Sequence, residues 1–278
     1  MNLSVWQIED HNRKHQARFA FLATIGSMLF GGIVGVTIVL SFADPASTNL
    51  DLPRWAIVLS EALILPPLVF IILRRRLPLN ATFRLQSVPF RTLRDALLIG
   101  LGITVMIDEL YSLLELVFPL PDSIAQSMGF FTFNNGSEAL LVILGVVVIG
   151  PLVEELVFRG FFQQQLEQVY RNAIVAVLLS SLLFTFLHFN PWWSLQIYIL
   201  GLVLGYLAWR TGSIWPPIVI HATVNGLAVW FANLPENSFT WYTSRGHVSP
   251  VWLAAAAILT YIGFRSLLTY NSKPLPID

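Results

Sequence analysis

Long apolar runs separated by short polar connections dominate this chain. A bilayer core needs about 20 apolar residues per helix, and runs of that kind fall at about 19 to 42, 55 to 73, 95 to 119, 138 to 160, 173 to 190, 194 to 210, 214 to 232 and 251 to 269. They predict an all-α protein, a polytopic membrane helix bundle of about eight transmembrane helices. The first run follows a polar stretch and is too long for a signal-peptide core, so it is expected to stay as the first helix. Connections are short except near 43 to 54, 74 to 94, 120 to 137 and 233 to 250. This leaves room for a single integral membrane domain over 1–278. The segment FRLQSVPFRTLRD reads as a solvated arginine-rich loop, with an interfacial position as the alternative.

Composition supports the membrane reading: 55% of residues are hydrophobic and only 12% charged. There is no cysteine, which excludes disulfides, thiolate metal sites and a cysteine nucleophile. A net charge of zero gives no bulk preference for nucleic acid, so the expected partners are the lipid bilayer and a membrane-associated peptide or protein. The arrangement of charge is more informative than its sum. Of the 16 Lys and Arg, only Arg54 and Arg245 fall on one side of the expected topology. Arg13, Lys14, Arg18, the cluster Arg74 to Arg94, Arg159, Arg171, Arg210, Arg265 and Lys273 fall on the other, which puts both termini in the cytoplasm.

Ionisable groups inside spans are costly and therefore candidate sites. Here they are Glu61, Asp108, Glu109, Glu115, Glu138, Glu154, Glu155, His188 and His221. Glu61 lies early in its span, Glu138 at a helix start where the dipole favours a carboxylate, and Glu115 near an outer end. These three are expected to be structural. Asp108 and Glu109 sit deeper, as buried polar contacts or as support for a site.

The stretch GPLVEELVFRG, 150 to 160, has an internal logic. Residues four apart share a helix face, so Glu155 pairs with Arg159, which is expected to reach toward the cytoplasm. Glu154 points about 100° away and has no cation at that spacing, and a carboxylate in partly dry surroundings gains basicity. The following polar helical segment turns near Arg171. Glu154 and His188 are equidistant from that turn, so an antiparallel return sets them level; the alternative is that His188 caps its helix. His221 and Asn225 are four apart and share a face of the seventh run.

A glutamate, two histidines and an asparagine suit attack by an activated water on an amide, with imidazole and carboxamide holding the oxyanion. Glu154, His188 and His221 could instead hold zinc. Together the patterns EExxxR (Glu154, Glu155, Arg159), FxxxH (Phe184, His188) and HxxxN (His221, Asn225) resemble the three motifs of the CPBP family, the CAAX prenyl protease and bacteriocin-processing enzymes, also called Abi. The motif core spans about 138–232.

The resemblance implies an intramembrane endopeptidase with its site in a cavity opening to the cytoplasmic side. It implies that Glu154 and His188 activate water, that His221 and Asn225 stabilise the oxyanion, and that Glu155, Arg159 and Phe184 support them. Family descriptions also include metalloproteases, which keeps zinc open as a cofactor. It implies a prenylated or bacteriocin-like peptide, or another membrane protein, as substrate, and the absence of long extramembrane extensions favours a prokaryotic cell membrane. Two rivals stand beside this reading: a transporter relaying protons through Glu61, Asp108, Glu109 and Glu154, and a non-catalytic scaffold or immunity protein of the same fold.

Overall fold

The computed structural model describes residues 5–42, 53–121 and 128–269; Lys273 and most of the 43 to 54 connection lie outside them. Every apolar run becomes a helix. These are α1 (Val5–Phe42), α2 (Trp55–Arg74), α3 (Phe90–Glu115), α4 (Gly136–Tyr170), α5 (Ala173–Phe186), α6 (Ser194–Thr211), α7 (Trp215–Ala232) and α8 (Pro250–Leu268). Between them lie a helical turn at Leu79–Thr82, short 3-10 turns at Met128–Phe131 and Glu236–Trp241, and a small antiparallel hairpin of β1 (Thr243–Ser244) and β2 (His247–Val248).

Five helices, α1 to α4 and α8, are long and apolar enough to cross a membrane, and the chain is a multi-pass, all-α membrane bundle. α5 is apolar but has 14 residues. The 18-residue helices α6 and α7 are diluted by Gln196, His221 and Asn225.

Local sequence explains the ends. Asn135 caps α4 by accepting from the Glu138 amide at 2.9 Å, and Glu138 accepts in return from the Asn134 amide at 2.9 Å. Glu138 is thus the helix-start residue the sequence suggested. Arg171 turns the chain with φ 51°, and Asn172 caps α5 by accepting from the Ile174 and Val175 amides. Gly212, at φ 63°, ends α6 in the left-handed conformation that costs glycine nothing. α1 departs from expectation because it is already helical at Val5 and continues unbroken for 38 residues. The polar lead-in is therefore an extension of the first helix.

α4 is the centre of the bundle and touches α1, α2, α5, α6 and α7. Contacts with its neighbours are close because small residues face them. A Cβ on Gly31 would lie 2.5 Å from Ile64 Cγ1, and one on Gly35 2.8 Å from Ser60 Cβ, which locks α1 against α2 in antiparallel register. On the other flank, a Cβ on Gly102 would lie 2.1 Å from Thr260 Oγ1 and 2.5 Å from the Ala256 carbonyl oxygen. Because the carbonyl cannot swing aside, Gly102→Ala must push α3 and α8 apart. We expect it to cost about 1–3 kcal/mol, read as a lower thermal unfolding midpoint in detergent.

The segment expected to be a solvated loop is partly interior. Phe83 and Arg84 are 4% and 2% exposed, and Arg84 pairs with Glu167 on α4. A charge counted as a free cytoplasmic arginine is therefore a buried link. Its burial is possible because Gln163 donates to the other oxygen of Glu167 at 2.9 Å and to the Gly205 carbonyl at 2.9 Å.

Candidate active site

α4 carries the first pair of candidate residues. Two stretches of it, Ile143–Ile149 and Leu156–Phe162, are wound as π-helix, on either side of Glu154 and Glu155. A π turn takes more residues per revolution, so it shifts the faces of the helix relative to one another, and such turns concentrate at functional sites.

Glu155 and Arg159 pair as the spacing predicted, at 2.9 Å, and both side chains are 0% exposed. Arg159 does not reach toward the cytoplasm, which corrects the expectation. Its guanidinium turns inward, donates to the Gly201 carbonyl at 3.3 Å and lies 4.2 Å from the Phe184 ring centroid. With an anion, a carbonyl and an aromatic face as partners, the arginine has compensation for leaving water. The contact repeats one turn along, where Gln163 meets Gly205 as Arg159 meets Gly201.

His221 joins the two glutamates. Its Nδ1 is 2.9 Å from Glu155 Oε1, and its Nε2 is 3.7 Å from Glu154 Oε2. A carboxylate only accepts, so Nδ1 carries the hydrogen and Nε2 is the atom presented to Glu154. Glu154 thus acquires an imidazole neighbour that its own helix could not supply. Its Oε2 is buried and has no hydrogen-bond partner among the described residues.

His188 follows the last turn of α5 and its Nδ1 lies 2.7 Å from the Phe184 carbonyl oxygen. The capping alternative is thus what the ring does: Nδ1–H caps the helix, which fixes the tautomer and leaves Nε2 with its lone pair. Phe184 holds the two histidines together. Its ring is edge-on to His188 at 4.6 Å and to His221 at 5.8 Å, and it is itself 1% exposed. Asn225 donates from Nδ2 to the Val146 carbonyl at 2.9 Å, in the first π stretch of α4. One amide hydrogen remains for a ligand.

The remaining ionisable residues divide differently from the sequence reading. Asp108 accepts from the Tyr242 hydroxyl at 2.7 Å, while Glu109 accepts from His247 at 3.0 Å and from the Val248 amide at 2.8 Å. Both make polar contacts, only partly buried, that fasten the 236 to 248 loop to α3. Burial, and then the Asp108 carboxylate, push the Tyr242 phenol well above its usual range, which keeps it a donor. Glu115 is exposed, with the Tyr111 hydroxyl at 3.5 Å.

Glu61, expected to be structural, packs beside the site. Its carboxyl carbon lies 3.7 Å from where a Cβ on Gly150 would sit, one turn before Glu154 on the same face. It lies close enough to Glu154 for the two carboxyl groups to interact electrostatically, and its Oε2 is also buried without a hydrogen-bond partner among the described residues. The only signal in the sequence was a lone carboxylate in an apolar run. The Val146 carbonyl, as backbone, left no signal at all.

As to metal, among the described residues no group of three His, Asp or Glu side chains converges so as to hold an ion. Glu154, His188 and His221 do not form a three-ligand group in this arrangement. A cleft of about 1190 Å³ opens between α1, α2 and the far part of α4; it contains none of the four candidate catalytic residues.

Residues 136–227 match the family described as Type II CAAX prenyl endopeptidase Rce1-like. That region carries all three motifs. Among curated proteins, YyaK of Bacillus subtilis (strain 168) is 27% identical over 98% of this chain and 97% of its own length. From the same organism, a protein with the printed name "Putative membrane peptidase YdiL" is 28% identical over 52% of this chain and 63% of its own. The UPF0177 protein YajF of Lactococcus lactis is 39% identical over 20% of this chain and 26% of its own. No solved structure matches.

Proposed function

We propose that this chain is an intramembrane endopeptidase that hydrolyses a peptide bond of a membrane-associated peptide with a water activated by Glu154 and His188. The observation that carries the reading is His221, which spans Glu155 at 2.9 Å and Glu154 at 3.7 Å and so ties the carboxylate of one motif to the imidazole of another. Glu154 Oε2 takes the proton of the attacking water, while His188 Nε2 accepts the second hydrogen bond and orients the lone pair. As the scissile carbonyl becomes an oxyanion, the free amide hydrogen of Asn225 donates to it, and His221 donates a second bond when Nε2 carries a hydrogen. Glu154 then passes its proton to the leaving nitrogen. Glu155 holds His221 in orientation, Arg159 balances Glu155, and Phe184 fixes the spacing of the two rings. Prenylated or bacteriocin-like peptides are the substrates the family likeness favours, in a prokaryotic membrane with both termini on the arginine-rich, cytoplasmic side.

The test uses the full chain purified in detergent, with a panel of membrane-tethered peptides and mass-spectrometric detection of products. Wild type is expected to cleave, and His188→Ala to lose about 10²–10⁴-fold in turnover. Equal cleavage by both would remove His188 from the mechanism. Glu115→Gln is expected to leave turnover within a factor of about two, since it changes an exposed side chain far from the cluster. Chelator treatment and elemental analysis distinguish this reading from its zinc form: retention of activity without metal supports the former. Metal bound in stoichiometric amount, and lost with activity, would put zinc on Glu154, His188 and His221.

A further inference from the structure

The cleft of about 1190 Å³ between α1, α2 and α4 is unconnected with the proposed chemistry, and its lining is sorted by depth. At one end are Arg18, Arg75 and the amides of Gln16, Gln164 and Gln168; beyond them come Leu22, Ala23 and Ile71. The antiparallel register of α1 and α2, with Gly35 against Ser60, Gly31 against Ile64 and Phe19 against Arg75, sets the two arginines level. The same register places the apolar lining one turn further into the spans. Arg18 precedes the first apolar run and Arg75 follows the last residue of α2, so both lie where a span meets water.

Three features define a ligand. Among the described residues, no acidic one lines the cleft and neither arginine forms an ion pair. Arg75 lies flat on Phe19, its Cζ 3.5 Å from the ring centroid, and Phe19 is braced edge-on by Phe161 at 6.0 Å. Stacking of this kind orders a guanidinium while leaving its N–H edge free for a bidentate anion. Gln164 Oε1 is buried and has no hydrogen-bond partner among the described residues, so among them the site also lacks a donor. Beside the cleft, Leu22 and Phe70 are 67% and 64% exposed, an apolar approach continuous with the bilayer.

We propose that this cleft binds the headgroup of an anionic phospholipid, its phosphate held between Arg18 and Arg75. A headgroup hydroxyl supplies the donor that Gln164 lacks, and an acyl chain runs along Leu22, Ala23 and Ile71. The proposal rests on the membrane topology and not on the peptidase reading.

Phosphatidylglycerol is the probe. The full chain is delipidated in mild detergent and given equal amounts of phosphatidylglycerol or phosphatidylcholine, and retained lipid is read by native mass spectrometry and the unfolding midpoint by thermal scan. Wild type is expected to retain phosphatidylglycerol at least tenfold over phosphatidylcholine and to unfold at a higher temperature with it. Arg18→Ala/Arg75→Ala is expected to lose that preference, and Gln164→Leu, which keeps both charges, to weaken it. Arg91→Ala/Arg265→Ala removes the same charge elsewhere on the arginine-rich side and is expected to keep it. Full preference in Arg18→Ala/Arg75→Ala, or equal loss in Arg91→Ala/Arg265→Ala, would overturn the site. Equal stabilisation by inorganic phosphate alone would also overturn it, by showing that the cleft takes a soluble anion. Should the double alanine variant not fold, the Gln164→Leu comparison decides.

Discussion

Glu154→Gln is expected to fold like wild type and to lose about 10²–10⁴-fold in peptide hydrolysis. The amide fills the same volume and keeps one oxygen, so packing against α2 and α7 is unchanged. What disappears is the negative charge 3.7 Å from His221 Nε2 and the lone pair that takes a proton from water. Both losses fall on the chemical step, so the decrease should appear in kcat, with KM little altered. The measurement is steady-state cleavage of the best membrane-tethered peptide, with the unfolding midpoint recorded on the same preparation. Full activity in Glu154→Gln would move the base to another group, and Glu61, whose Oε2 also has no hydrogen-bond partner among the described residues, would be the next to substitute.

Arg159→Met should instead act on the whole protein. The guanidinium is 0% exposed and balances Glu155, which is 0% exposed as well. Removing it strands a carboxylate in the interior, and breaking a buried pair in this way costs about 3–5 kcal/mol. The loss should be visible as reduced yield and an early unfolding transition. The double variant Glu155→Leu/Arg159→Met takes out both charges and is expected to recover much of that stability, because an apolar pair of similar volume needs no compensation. It should not recover turnover. His221 would then have no carboxylate on Nδ1, and its orientation toward Glu154 would be lost. A double variant that regains both stability and activity would reduce Glu155 to a charge balance for Arg159. A double variant no more stable than Arg159→Met would mean that the His221 contact, and not the ion pair, holds this region together.

The separation of these two effects follows from how the pair was written into the chain. EE at 154 and 155 gives one glutamate to Arg159 by helical spacing and points the other away, and the structure keeps that division. Sequence spacing could show which glutamate had a partner on its own helix. It could not show that His221 would come from α7 to touch both, because that contact crosses 66 residues. Nor could it show Arg159 turning inward. Four-residue spacing fixes the partner but not whether the head group goes to water or to a carbonyl, and here the close approach of Gly201 on α6 decided for the carbonyl.

In the sequence Glu61 reads as structural, while Asp108 and Glu109 read as buried polar contacts or as support for a site. Their outcomes differ because of what packs beside each. Tyr242 and His247 arrive from a distant loop to satisfy Asp108 and Glu109, whereas Gly150 brings Glu61 against α4 near Glu154 and leaves one of its oxygens unpaired.

The helices, their order, their caps and the residues of the three motifs were set by local chemistry: apolar runs long enough for a bilayer, asparagine caps before α4 and α5, a left-handed glycine after α6. Such features depend on neighbours within a few positions and can be read along the chain. The rotation of each helix about its axis was decided elsewhere, by glycines that admit a neighbouring backbone and by two π-helical stretches that shift the face of α4. Whether Nδ1 or Nε2 of a histidine faces the cavity, and which carboxylate is left without a partner, depends on that rotation. Only the packed bundle holds that information, because it arises from contacts between segments far apart in the chain.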